Sequence, residues 1–285
     1  MGAKTQKNIT AKNSKLFITI KRLIIETRYN QLIDFGEDML KEINLQEKNQ
    51  EVYNLLKDME IYSYEVKDNK ICSKNIKGVI NVCGYGIYDV KNPRCLDNRY
   101  YLELDILNNE NCKHDGTIIT LMMNPSWTFP FGAHNSGIDR TVKNVIKIAK
   151  VAKIPKSDLK FSKVIVLNTM PIITSEPEQA MENNNQQDIN VKFVKNFLEK
   201  SNKANTIFLA AWGSNKNINK YNEFTNEIKS FFKDKIYVYD INDSQPYPCH
   251  PSGQGVNSKK LKKFLLESQT LKPVKINKDL TVEEI

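Results

Sequence analysis

A chain of 285 residues with a net charge of +9 is long enough for one large α/β domain plus an appendage, and its basic balance suits a polyanionic partner. No apolar run is long enough to span a bilayer, and the lysine-bearing N-terminus lacks the apolar core of a secretory signal. A membrane protein and an exported one are therefore set aside, and a cytoplasmic protein is expected. The five cysteines, Cys72, Cys83, Cys95, Cys112 and Cys249, are odd in number and contain no Cys-x-x-Cys pair. They read as scattered reduced thiols; the alternative is a metal or iron–sulfur site near His114, where four of them gather. No metal and no cofactor are expected.

In chain order, residues 1–14 read as a disordered basic arm carrying Lys4, Lys7 and Lys12. Residues 15–77 read as a helical N-terminal appendage, from apolar residues such as Leu23, Leu32, Met39, Leu40 and Ile43 at helical spacing. Within that span the alternation over 61–66 marks a possible strand. Two β-rich segments follow, 78–88 with its glycines and 100–107, as a hairpin or meander leading into a central sheet. Thereafter strands alternate with amphipathic helices: strand 118–123, helix 137–152, strand 163–169, helix 188–200, strand 206–211, helix 221–232, strand 236–239 and a closing helix 257–267. Apolar β runs separated by helices predict a three-layer α/β/α domain over 78–268 with a mostly parallel central sheet. Residues 269–285 read as a tail.

In such a sheet the carboxyl ends of the strands share one edge, which is where open α/β folds place their ligands. Here those ends are Asn124-Pro125-Ser126, Leu167-Asn168-Thr169, Trp212-Gly213-Ser214 and Cys249-His250-Pro251-Ser252-Gly253-Gln254-Gly255. Proline cannot donate to a sheet ladder, so β pairing stops at Asn124-Pro125. The loop that follows is rich in aromatics. Two amides and one imidazole are thus predicted to share a pocket roofed by Trp127, Phe129 and Phe131.

Those four stretches resemble the motifs of the uracil-DNA glycosylase superfamily, over about 115 to 266. Over about 79 to 266 the chain is also similar to a related family of uncharacterised microbial and phage proteins. That likeness rests on Gly84-Tyr85-Gly86, Asn124-Pro125-Ser126, Asp139-Arg140-Thr141, Ala211-Trp212-Gly213 and Gln245-Pro246 leading into His250-Pro251. The resemblance implies a DNA glycosylase: an enzyme that flips a nucleotide out of the stack and hydrolyses its N-glycosidic bond. DNA is then the partner, and no obligatory protein partner is evident.

On that reading Asn168 reads the pyrimidine edge, together with Trp127, Phe129 and Phe131, and His250 donates to the oxygen where negative charge accumulates. Asn124 holds the attacking water but cannot be a strong base, since an amide does not titrate. Asp139 is the candidate carboxylate, unless its duty is to cap the 137–152 helix. Ser126, Ser214, Ser252 and Gly253 are expected on DNA phosphates, with Gln254 there or wedged into the gap left by the base. Trp212 is expected to be core. The long segment 127–135 suggests room for a modified pyrimidine, in a setting such as anti-phage defence or DNA repair. Two other classes fit the same cleft: a non-catalytic nucleic-acid sensor, and an enzyme of free nucleotides or nucleosides.

Overall fold

The computed structural model describes residues 42–59, 61–72, 79–89, 98–107, 115–125, 138–173, 186–201, 204–213, 219–252 and 255–285. Residues Glu42–Ile285 form one compact unit. It opens on two short helices, α1 (Leu45–Lys48) and α2 (Gln50–Leu56), whose first turns are capped by Asn44 and Asn49. Each asparagine oxygen accepts a backbone N–H that no carbonyl in the helix can reach. Three strands then run back and forth as a meander: β1 (Tyr62–Cys72), β2 (Val79–Tyr88) and β3 (Arg99–Leu107). Neighbouring strands pair antiparallel, so each reverses direction on the one before it.

From there strands and helices alternate as the sequence periodicity predicts. The order is β4 (Gly116–Met122), α3 (Arg140–Val151), β5 (Phe161–Asn168), α4 (Gln187–Lys200), β6 (Thr206–Leu209), α5 (Asn219–Phe232) and β7 (Ile236–Val238). Then α6 (Gly255–Lys263) runs into a π-helical turn at Phe264–Ser268. With β8 (Lys272–Ile276) and β9 (Val282–Glu284), the described strands form one nine-stranded sheet in the order β1-β2-β3-β5-β4-β6-β7-β8-β9.

Side chains alternate across that sheet, and the two sets bury against different helices. Ile119, Leu121, Ile165, Leu167 and Phe208 pack with Val52, Phe193, Phe197, Phe224 and Phe232, from α2, α4 and α5. Ile118, Met122, Val164, Val166, Ile207 and Leu209 pack with Val142, Val145, Ile146, Leu261 and Phe264, from α3 and the α6 region. Helices therefore cover both faces of the sheet.

The expectation of a mostly parallel sheet is corrected. Among the described strand pairs, β4–β5, β4–β6 and β6–β7 are parallel. The pairs β1–β2, β2–β3, β3–β5, β7–β8 and β8–β9 are antiparallel. The parallel block is the part built by helical crossovers, and antiparallel ribbons extend it on both sides. Two further boundaries shift. The possible strand at 61–66 lengthens into β1 and joins the sheet, so residues from Glu42 onward belong to the α/β unit; residues 1–41 lie outside the described residues. The stretch read as a tail supplies β8 (Lys272–Ile276) and β9 (Val282–Glu284), and buries Val274, Ile276, Leu280 and Val282 in the core.

One buried polar network lies away from the strand ends. Glu103 is 5 % exposed and accepts hydrogen bonds from Tyr85 Oη (3.1 Å), Tyr101 Oη (2.7 Å) and Lys163 Nζ. Asn49 Nδ2 in turn donates to Tyr85 Oη at 3.0 Å, tying the N-terminal helices to the meander. A carboxylate so deep in a sheet is tolerated because each oxygen is satisfied.

Candidate functional site

Parallel pairing brings the carboxyl ends of β4, β5, β6 and β7 to one edge, and in register Met122 faces Asn168. The first two exits are locked together. Thr169 N donates to Met122 O (2.7 Å), Thr169 Oγ1 to Met123 O (2.8 Å), and Met170 N to Met123 O (2.8 Å). The Leu-Asn-Thr sequence thereby fixes the backbone from which Asn124 projects. Asn124 itself is partly exposed, with its Nδ2 donating to Pro125 O at 3.2 Å.

Asn168 is 1 % exposed, and neither its Oδ1 nor its Nδ2 has a hydrogen-bond partner. It does not cap the strand exit. That duty falls to two amides of α4: Asn190 Nδ2 donates to Asn168 O (2.9 Å) and Thr169 O (3.1 Å), and Gln187 Nε2 donates to Thr169 O (2.7 Å). The side chain is left as a sealed amide with both functions idle, at a cost of about 1–3 kcal/mol per unmet group. Strand alternation carries it to the same face as Val164 and Val166, the face covered by α3 and α6.

His250 stands on that face as well. Its loop is pinned at three points. Tyr239 Oη donates to His250 O (2.9 Å), Asn144 Nδ2 from α3 donates to Pro251 O (2.7 Å), and Ser252 N donates to His250 Nδ1 (3.2 Å). Burial pushes the imidazole pKa down to about 4, with Asp139 opposing the shift. The ring is therefore neutral at pH 7. Because Nδ1 accepts, the proton sits on Nε2, which is left as a donor. The amide of Ser252, expected on a phosphate, serves the imidazole instead.

Gly213 explains the Trp-Gly that follows β6. Its φ is +76°, and a Cβ there would lie 3.0 Å from His250 Cβ. Gly213→Ala is expected to destabilise the fold by about 1–2 kcal/mol from the left-handed backbone alone. It should also displace the imidazole, visible as a changed His250 resonance by NMR. An unshifted resonance would contradict this packing. Trp212 is core, as expected: it is 2 % exposed, its Nε1 donates to Leu280 O (3.1 Å), and its ring centroid lies 5.7 Å from that of Tyr221.

Asp139 is the N-cap of α3, accepting Val142 N on Oδ1 at 2.9 Å. It also acts electrostatically on His250 and on Arg99. Arg99, which the sequence reading passed over, is 1 % exposed at the start of β3. Since β3 runs antiparallel to β5, its first residue stands at the edge where β5 ends, and its N–H donates to Pro171 O (2.8 Å). A charged residue just before an apolar run looks like an ordinary strand boundary, so only the strand direction reveals its place. Asn144, Gln187 and Asn190 were missed too, as polar residues on otherwise apolar helix faces.

Residues 99–252 match the family described as "Protein of unknown function (DUF1643)". The chain belongs to this family. The DUF1643 match runs from Arg99 to Ser252 and so takes in Asn124, Asp139, Asn144, Asn168, Gly213 and His250. No curated protein and no solved structure matches the chain. Of the residues predicted for the site of this DUF1643 protein, Ser126, Trp127, Phe129, Phe131, Ser214, Gly253 and Gln254 lie outside the described residues, as do His114 and His134. Among the described residues no three His, Cys, Asp or Glu side chains converge to hold a metal, and the buried Cys249 is a free thiol. No helix among them is long and apolar enough to cross a membrane.

Proposed function

We propose that this protein is a DNA glycosylase that hydrolyses the N-glycosidic bond of a flipped, modified pyrimidine. The observation that carries the reading is the buried, unpaired amide of Asn168, set at the strand edge on the same face as a neutral imidazole. Buried polar groups in native proteins are nearly always satisfied, and those that are not point to a partner that arrives later. A pyrimidine edge supplies one: it offers adjacent donor and acceptor atoms that a carboxamide matches with two hydrogen bonds.

The chemistry follows from the groups present. As the glycosidic bond breaks, the sugar gains oxocarbenium character and the base leaves with the bonding pair. His250 Nε2–H donates to the base oxygen that takes up this charge, and being uncharged it has no tendency to protonate the enzyme's other partners. As the C–N bond breaks, Asn124 orients the water whose oxygen bonds to the sugar carbon; that water releases one proton to solvent, and the departing base anion takes one up from solvent. Without a carboxylate at Asn124 there is no strong base at this step, which favours a slow, selective enzyme over a fast one.

The test is incubation with oligonucleotides containing uracil, 5-hydroxymethylcytosine or glucosylated cytosine, scoring alkali-labile abasic sites. Product from at least one is expected, and none from any would end the reading. Asn168→Leu adds a stability signature. It removes two idle buried polar groups, so the variant is expected to melt about 2–4 °C higher while losing abasic product. A variant that melts lower would show that the amide is structural.

A further inference from the structure

The helix that carries Asp139 and Asn144 also presents a stripe of cations, Arg140, Lys143 and Lys147, spaced so that one face holds all three. We infer that this stripe of α3 is a phosphate track, holding the sugar–phosphate backbone of the nucleic acid whose base enters the Asn168–His250 edge. The inference rests on the glycosylase reading for the identity of the ligand, but not on catalysis.

Three observations support it. First, the stripe begins at the site: α3 follows β4, so its first turn stands where the parallel strands end, and Asn144 between the cations binds Pro251 O of the imidazole loop at 2.7 Å. Second, the cations are held together rather than dispersed. Lys147 is half-buried, and its Nζ meets only the neutral Asn144 Oδ1, at 3.5 Å. Burial, then the like charges of Lys143 and Arg140, push it below its usual pKa range. No carboxylate among the described residues pairs with it. Lys260 of α6 is the contrast, held by Asp243 at 2.6 Å and Asp240 at 3.8 Å. Like charges on one helix face cost stability, and an arriving polyanion relieves them. Third, the spacing fits. Arg140 to Lys147 spans about 10 Å of helix, close to the rise of three phosphates along one strand at about 3.4 Å each.

The experiment is fluorescence anisotropy of a labelled oligonucleotide duplex against salt, comparing wild type with Lys143→Gln/Lys147→Gln. The double variant is expected to bind about tenfold more weakly, with the slope of log K against log salt reduced by about 2. Its melting temperature should be equal or higher; should it fail to fold, Arg140→Gln/Lys147→Gln takes its place with the same expectation. An unchanged affinity and slope overturn the inference, as does an equal loss on neutralising Lys259 and Lys262 of α6, which would mean diffuse attraction by net charge. Loss of binding to acidic phospholipid vesicles with duplex binding intact also overturns it. The two proposals fail separately: salt-sensitive binding through α3 without abasic product removes the glycosylase reading only, and abasic product with an unchanged slope removes the track only.

Discussion

His250→Ala is expected to lower the rate of abasic-site formation by about 10²- to 10³-fold, the usual loss when one donor to a developing anion is removed from a preorganised site. The donor is preorganised because its loop is held at three points. Asn144, Tyr239 and Ser252 fix the backbone and Nδ1, leaving only Nε2–H free to change partners. His250→Gln retains an N–H donor on a longer, less constrained stem and should recover only part of the loss. The pH dependence has a definite sign. A histidine ordinarily titrates near 6.5, and here the folded value is about 4. Between those values the unfolded chain binds the proton and the folded chain does not, so stability falls as pH is lowered through this window, by up to about 3 kcal/mol. The contribution is fully present above about pH 6.5 and gone below about pH 4. Thermal melts from pH 7 to pH 4 should show an acid limb in the wild type that is reduced in His250→Ala. Parallel limbs in the two proteins would place the imidazole in solvent and remove its role.

Gly84→Ala is expected to destabilise the fold by more than about 3 kcal/mol, a melting-temperature fall of more than about 8 °C in a chain of this size. A Cβ at Gly84 would lie 2.0 Å from Glu103 O and 2.9 Å from both Glu103 C and Leu104 Cα. All three are backbone atoms, so no rotamer change relieves the clash, and the β2–β3 pairing must part where Gly84 faces Leu104. Parting it pulls on the neighbouring Tyr85–Glu103 bond and on the carboxylate beneath it, which then risks an unmet buried charge. Gly86→Ala is the control. Its new Cβ would meet the Tyr88 ring at 2.9 Å, a side chain that can give way, so a cost of about 1 kcal/mol is expected. Equal effects at the two glycines would mean that the close approach at Gly84 is not what fixes the meander.

The Gly84-Tyr85-Gly86 pattern was legible as a feature of the chain, but not as a demand of backbone contact. The partner of Gly84, Glu103, lies 19 residues away on the next strand. The Trp-Gly that follows β6 behaves alike. The strand itself ends earlier than expected, at Leu209, and the reason for glycine at 213 is the imidazole of a loop 37 residues later. Asp139 could be assigned to a helix end from its place before Arg140-Thr141-Val142, because capping is local. Its electrostatic contact with Arg99 and His250 is not.

By itself, then, the sequence determined what short-range periodicity encodes. It specified the four strands and three crossover helices of the parallel block, the edge at which their polar termini gather, and the residue types found there. Only the tertiary structure decided the direction of the flanking strands, the conversion of residues 272–284 from apparent tail to core, and the place of Arg99 beside the site. Local propensity is indifferent to strand direction, and a short segment such as Lys-Pro-Val-Lys-Ile becomes a strand only when β7 offers it an edge. The same holds for the amide of Asn168. Whether it is satisfied or idle depends on groups supplied by α4, which bond its backbone and leave its side chain without a partner.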